Sequence, residues 1–134
     1  MFGLILSVAV AGDLVVQVEG AGGKPAQVAC RLYDDRRAPA FPGGGPLDET
    51  RATLDENGRP VCRFSGLETG RYAVAAIRDV NGNQTLDTTA FGLPVEPWGV
   101  TNNERPQFRA PTFDEAAVVV SGDHPLRTLL TLAR

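Results

Sequence analysis

The sequence is poor in the residues that usually carry enzyme chemistry: one histidine, two cysteines, one tryptophan and no strong excess of either charge. With a formal net charge of -3 and Arg36–Arg37 as its only adjacent basic pair, it lacks the basic stripe that nucleic acid or an anionic membrane calls for. Two cysteines outside any CxxC pair do not make a structural zinc site. The lone His124 sits in a Gly-Asp-His-Pro turn, where a solvated turn residue is the ordinary reading and a catalytic base the unusual one. No GxSxG elbow, HExxH helix, P-loop or GxGxxG follows a strand pattern. Together these absences argue for a protein that is not an enzyme.

What the chain has in quantity is punctuation. Its fifteen glycines and ten prolines break it too often for long helices. Between them, apolar residues alternate with period two, the signature of half-buried strands. Leu14, Val16 and Val18 share one face of the first such run, and Val28, Cys30 and Leu32 one face of the next. Asp34 to Glu49 has no periodicity and reads as a long surface loop. Arg51 to Leu54 reads as a short strand ended by the Asp55-Glu56-Asn57-Gly58 turn. Cys62 and Phe64 share a face, and Arg71 to Ile77 is apolar on both faces, as a central strand would be. Thr112 to Glu115 fits one helical turn. Ala116 to Val120 and Leu126 to Leu132 read as a hairpin across Ser121–Pro125.

About seven short strands with turn signals between them predict a single antiparallel β-sandwich with Greek-key-like connections. At 134 residues the chain fits one such domain, placed over residues 13–134. Residues 1–12 read as a signal-peptide remnant, with Ala9-Val10-Ala11 as the small-x-small site. A first core strand and a frayed apolar tail are the other two readings. The segment is far too short to span a bilayer, so an integral membrane protein is not expected.

Cys30 and Cys62 both fall on the inward face of their strands. Where those strands face each other a disulfide is geometrically open to them, stabilising the fold by roughly 3–4 kcal/mol on the chain-entropy model. Two buried free thiols packing as small hydrophobes are the alternative.

The most chemically specific stretch is Asp79-Val80-Asn81-Gly82-Asn83-Gln84-Thr85-Leu86-Asp87. Asp79, Asn81, Asn83 and Asp87 occupy positions one, three, five and nine, and the Thr85 carbonyl position seven, which is the ligand spacing of a tight calcium loop. Gln84 stands where such a loop has glycine, and Ala90 where it has a bidentate Glu. The competing reading is an Asx-rich turn bonded to its own backbone amides. Trp98, beside Asn102 and Asn103, forms a second candidate, an aromatic-amide group able to stack on a sugar ring or a peptide. A plug at the end of the sandwich is the plainer account of that tryptophan.

Three motifs in order carry a resemblance: Gly70-Arg71-Tyr72-Ala73-Val74-Ala75-Ala76-Ile77-Arg78-Asp79-Val80-Asn81-Gly82-Asn83 with Leu86-Asp87, then Gly92-Leu93-Pro94-Val95-Glu96-Pro97-Trp98-Gly99-Val100-Thr101-Asn102-Asn103, then Pro111-Thr112-Phe113-Asp114-Glu115-Ala116. In these the chain resembles the uncharacterised bacterial family called domain of unknown function twenty-one forty-one. The resemblance implies an exported protein and a β-sandwich of the immunoglobulin or transthyretin-like sort, and brings no established activity. Arg78, Gln84 and Pro97-Trp98 depart from the family pattern, where His, Gly and Gly-Tyr are usual. The expectation is therefore a periplasmic or secreted module with a structural or accessory binding role, with calcium as the cofactor where the Asp79–Asp87 run is a metal loop. Its partner would be an envelope protein or a glycan, and no nucleic acid.

Overall fold

The computed structural model describes residues 12–20, 27–78 and 96–133. Among them nine strands lie in two sheets. One sheet is built from β1 (Gly12–Glu19), β4 (Thr53–Leu54), β5 (Pro60–Leu67) and β9 (Leu126–Thr131), in the order β4-β5-β1-β9. The other holds β2 (Val28–Asp34), β3 (Asp48–Arg51), β6 (Gly70–Arg78) and β7 (Trp98–Val100), in the order β3-β2-β6-β7. In that sheet β8 (Val118–Val120) pairs with β6 at Gly70–Tyr72, along the same edge that β7 uses at Ala75–Ile77.

The period-two reading of the strands places the core correctly. Leu14, Val16, Val18, Cys62 and Phe64 from one sheet meet Val28, Cys30, Leu32, Val74 and Ala76 from the other, all nearly or fully buried. Cys30 in β2 and Cys62 in β5 are joined by a disulfide that links the two sheets, with 6.4 Å between Cα atoms.

Three parts of the sequence reading need correction. Arg51 to Leu54 is not one strand: Ala52 is buried at a crossing, so that β3 pairs with β2 and β4 with β5. The Ala116–Val120 and Leu126–Leu132 runs do not form a hairpin. Their connection crosses between sheets, so β8 pairs with β6 while β9 runs parallel to β1 from Leu14↔Leu126 to Glu19↔Thr131. Gly12 makes this close passage feasible, because a Cβ there would overlap the Ser121 carbonyl.

Of Asp34 to Glu49, read as a plain surface loop, Asp34 closes β2, Asp48 and Glu49 open β3, and the stretch between packs Ala38, Ala40 and Phe41 into a second core. Asp34 caps a 3-10 turn over Asp35–Ala40 by accepting from the Arg37 N–H. The turn delivers Phe41 edge-on to Tyr33 (5.1 Å between centroids) and to Phe113 (6.3 Å) on the outer face of the β2–β6 sheet. The Tyr33 hydroxyl lies 2.9 Å from the Pro42 carbonyl and 2.7 Å from that of Gly44, and donates to one at a time.

Candidate functional site

The proposed calcium ligands Asp79, Asn81, Asn83, Thr85 and Asp87 lie outside the described residues. Their attachment points are visible. β6 ends at Arg78, whose N–H donates to the Pro97 carbonyl at 2.9 Å, so the described residues on either side of 79–95 are hydrogen-bonded to each other. Glu96, at the returning end, is a carboxylate only 6% exposed. Among the described residues no group of three or more His, Cys, Asp or Glu side chains is gathered to hold a metal ion.

Trp98, Asn102 and Asn103 are brought to one edge of the sandwich. Trp98 opens β7, bridges to Ala133 and is half-buried. The guanidinium of Arg105 stacks over its ring, 3.9 Å from the centroid, and donates to the carbonyls of Trp98 (2.7 Å) and Ala133 (3.1 Å). Burial pushes the Arg105 pKa down from its ordinary value, and stacking on an aromatic face suits a partly desolvated guanidinium. The indole also lines an apolar recess of about 30 Å³ with Ala29, Ile77 and Pro42, room for roughly one water.

The two asparagines act on the backbone. Both take positive φ, 64° and 54°, a conformation Asn tolerates better than other side chains. Asn103 accepts from the Thr131 N–H at 2.9 Å and donates to the Leu129 carbonyl at 3.4 Å. Its amide thus pairs with β9 as a neighbouring strand's peptide group would, and covers an otherwise open sheet edge. Asn102 donates to the carbonyls of Glu115 and Ala117, both at 3.0 Å. Both amides are engaged in holding the chain although both residues are exposed, and the half-buried ring of Trp98 has Arg105 over one face.

Asn102 reaches the C-terminal end of α1 (Phe113–Ala116), a single turn whose start is closed by a reciprocal capping box between Thr112 and Glu115. Arg109 forks onto the same carboxylate at 2.7 and 2.9 Å. The Arg109 side chain, with the Thr112 N–H second, holds the Glu115 pKa at about 2, well below the usual 4.5. A depressed carboxylate stabilises the fold above its unfolded pKa and loses that contribution as the pH falls through the folded value. The contribution of Glu115 is therefore complete above about pH 4.5 and fades toward pH 2. In an NMR titration of side-chain carboxyls Glu115 should titrate near pH 2, and Arg109→Gln should move it upward. A midpoint at the ordinary Glu value would remove the fork from solution.

Sequence reasoning missed Thr101, Arg105 and Arg109. Thr101 carries a weak signal in hindsight, a polar residue directly following the apolar Val100 in a run with little periodicity. The arginines carry none, since nothing local marks which carbonyl or carboxylate a long side chain will reach. His124 is exposed on the turn between β8 and β9. No helix among the described residues is long and apolar enough to cross a membrane.

A two-sheet, all-β domain with its sheets joined by a buried disulfide and its edge closed by backbone-directed asparagines is the class of protein these features define. The family model described as uncharacterised protein conserved in bacteria, DUF2141, matches residues 16–127, and the chain belongs to that family. No curated protein matches it.

Proposed function

We propose that this protein is an extracytoplasmic β-sandwich module, periplasmic or secreted, with a structural or accessory binding role and no catalysis of its own. Its sandwich is of the immunoglobulin or transthyretin-like sort. The observation that carries the reading is the Cys30–Cys62 disulfide, buried between the sheets. Such bonds persist in oxidising compartments and are rare where glutathione keeps thiols reduced. The apolar stretch ahead of Asp13, with its Ala9-Val10-Ala11 site, supports export independently. Fractionation of the native cells with thiol trapping tests it: the protein should occur oxidised in the periplasm or medium. A cytosolic protein with both thiols alkylated would overturn the reading.

The Asp79–Asp87 run is proposed as a structural calcium loop, supported by its ligand spacing and by the pinned base at Arg78 and Pro97. Calcium at 100 times its dissociation constant would add about 2.7 kcal/mol and raise the unfolding temperature by several degrees. That gain should vanish in EDTA and in the Asp79→Ala, Asp87→Ala variant. An equal midpoint with and without calcium would leave the run as a self-bonded turn.

A second reading, a carbohydrate or peptide site at Trp98, is favoured by the ring's partial exposure beside an apolar recess.

A further inference from the structure

The outer face of the β4-β5-β1-β9 sheet carries an open concavity of about 400 Å³. Its floor is aliphatic. Val15 and Val61 alternate with core residues and so point outward, yet they are only 6% and 3% exposed, so the side chains around them cover the floor. The strand register puts Arg63 of β5 and Arg127 of β9 directly on either side of Val15. Two strand spacings separate them, roughly 10 Å between backbones. In the next row Gln17 lies between Val61 and Leu129.

The β4–β5 turn forms a lip over this face. Asp55 Oδ1 accepts from the backbone N–H groups of Asn57 (2.8 Å) and Arg59 (2.9 Å), which fixes the turn. Arg59 and Asn57 line the concavity from this lip.

Four arginines elsewhere are ion-paired. Arg31 pairs with Glu49, Arg37 with Asp34, Arg71 with Asp35 and Asp114, and Arg109 with Glu115. Arg59, Arg63 and Arg127 form no such ion pair among the described residues. Asp55 and Glu56 line the same hollow, and the Asp55 carboxyl is held below its ordinary pKa by the Arg59 N–H first and by the charges of Arg59 and Arg63 besides. Three guanidiniums against two carboxylates leave a local excess of one positive charge on a chain of net charge -3. Guanidinium forks match carboxylates bidentately.

We propose that this face binds a carboxylate-bearing polysaccharide, with Arg63 and Arg127 engaging carboxylates along the polymer and Gln17 and Asn57 its hydroxyls. The sheet itself argues for a glycan over an acidic peptide. β1 is hydrogen-bonded on both sides, to β5 and β9, so an extended peptide laid on this face finds no main-chain partners. A glycan needs none, because its hydroxyls and carboxylates are met by side chains alone. No aromatic ring lines the hollow, so charge carries the binding and salt weakens it.

The proposal takes its ligand class from the extracytoplasmic reading, but binding by purified protein is independent of where the cell puts it. The experiment is calorimetric titration of the full oxidised chain with polygalacturonate, neutral dextran and polyglutamate, at low and high ionic strength. Polygalacturonate should bind and weaken with salt. Arg63→Gln, Arg127→Gln should reduce affinity by about tenfold or more, since two charge-assisted contacts are lost. Arg36→Gln, Arg37→Gln removes the same formal charge from another part of the surface and should leave binding unchanged. Glu56→Gln, which removes the opposing charge on the lip, should strengthen it. All five sites are exposed or half-buried, and the unfolding midpoint of each variant checks that the fold is retained. No binding, equal binding of dextran or polyglutamate, or equal loss in the two arginine pairs would each overturn the proposal. Cytosolic fractionation with intact polygalacturonate binding would instead count against the compartment alone.

Discussion

Replacing Thr101 by valine should destabilise the domain by about 2–6 kcal/mol, although the two side chains are nearly the same shape. β6 pairs with β8 at Gly70–Tyr72 and with β7 at Ala75–Ile77, and between these stretches its edge has no strand beside it. Thr101 fills that gap. Fully buried, its Oγ1 accepts from the Val74 N–H at 3.1 Å and donates to the Ala116 carbonyl at the end of α1. Valine removes both bonds at once and strands a donor and an acceptor away from water, each costing roughly 1–3 kcal/mol. Thr101→Ser keeps the hydroxyl and loses one methyl, so it should cost about 1 kcal/mol. Urea unfolding of the three proteins checks the order. Valine within about 0.5 kcal/mol of wild type, a change typical of neutral surface sites, would show that the hydroxyl holds nothing.

Removing the disulfide should have a comparable effect by a different route. Cys30 and Cys62 are 32 residues apart in sequence and each is fully buried. Opening a loop of that length returns about 3–4 kcal/mol of conformational freedom to the unfolded chain. Neither strand is at an edge: β2 lies between β3 and β6, and β5 between β4 and β1. The bond thus ties the interiors of the sheets and restricts the long connection between them. Cys30→Ala, Cys62→Ala should lower the unfolding temperature by about 10 °C or more for a domain of this size. The folded far-UV spectrum should persist, since the apolar core around the bond remains. A loss under about 1 kcal/mol would mean that the unfolded chain is already compact in this region.

Much of the fold is legible in the residues themselves. Leu14-Val16-Val18, Val28-Cys30-Leu32 and Cys62-Phe64 announce inward faces by alternation, and the structure buries them together. The apolar run from Arg71 to Ile77 belongs to β6, which has strands on both sides. The one-turn helix over Thr112 to Glu115 is found shifted by one residue, with Thr112 as its cap.

Other parts could not be read this way. β7 is three residues long and contains a glycine, too short for any periodicity to register. Gly99 is there because β9 passes so close that a Cβ would overlap the Thr131 carbonyl, a requirement set by a distant strand. Phe41 gave no pattern among Pro and Gly, yet it anchors a second core on Tyr33 and Phe113. Asn102 and Asn103 read as a surface suited to a ligand because amides bond sugars well. The same chemistry bonds backbone carbonyls equally well, and sequence does not say which lies nearer.

By itself the sequence determined which side of each long strand faces inward, where the chain turns, and that its two cysteines share the core. These follow from alternation and backbone restriction, which act between residues close along the chain. The tertiary structure decided which strands are neighbours: β9 parallel to β1, β8 beside β6, and Asn103 against the open edge of β9. It likewise brought Arg63 and Arg127 to either side of Val15. Alternation encodes a face and carries no address, so a partner is chosen only when whole faces are buried against one another and every edge must be paired or capped.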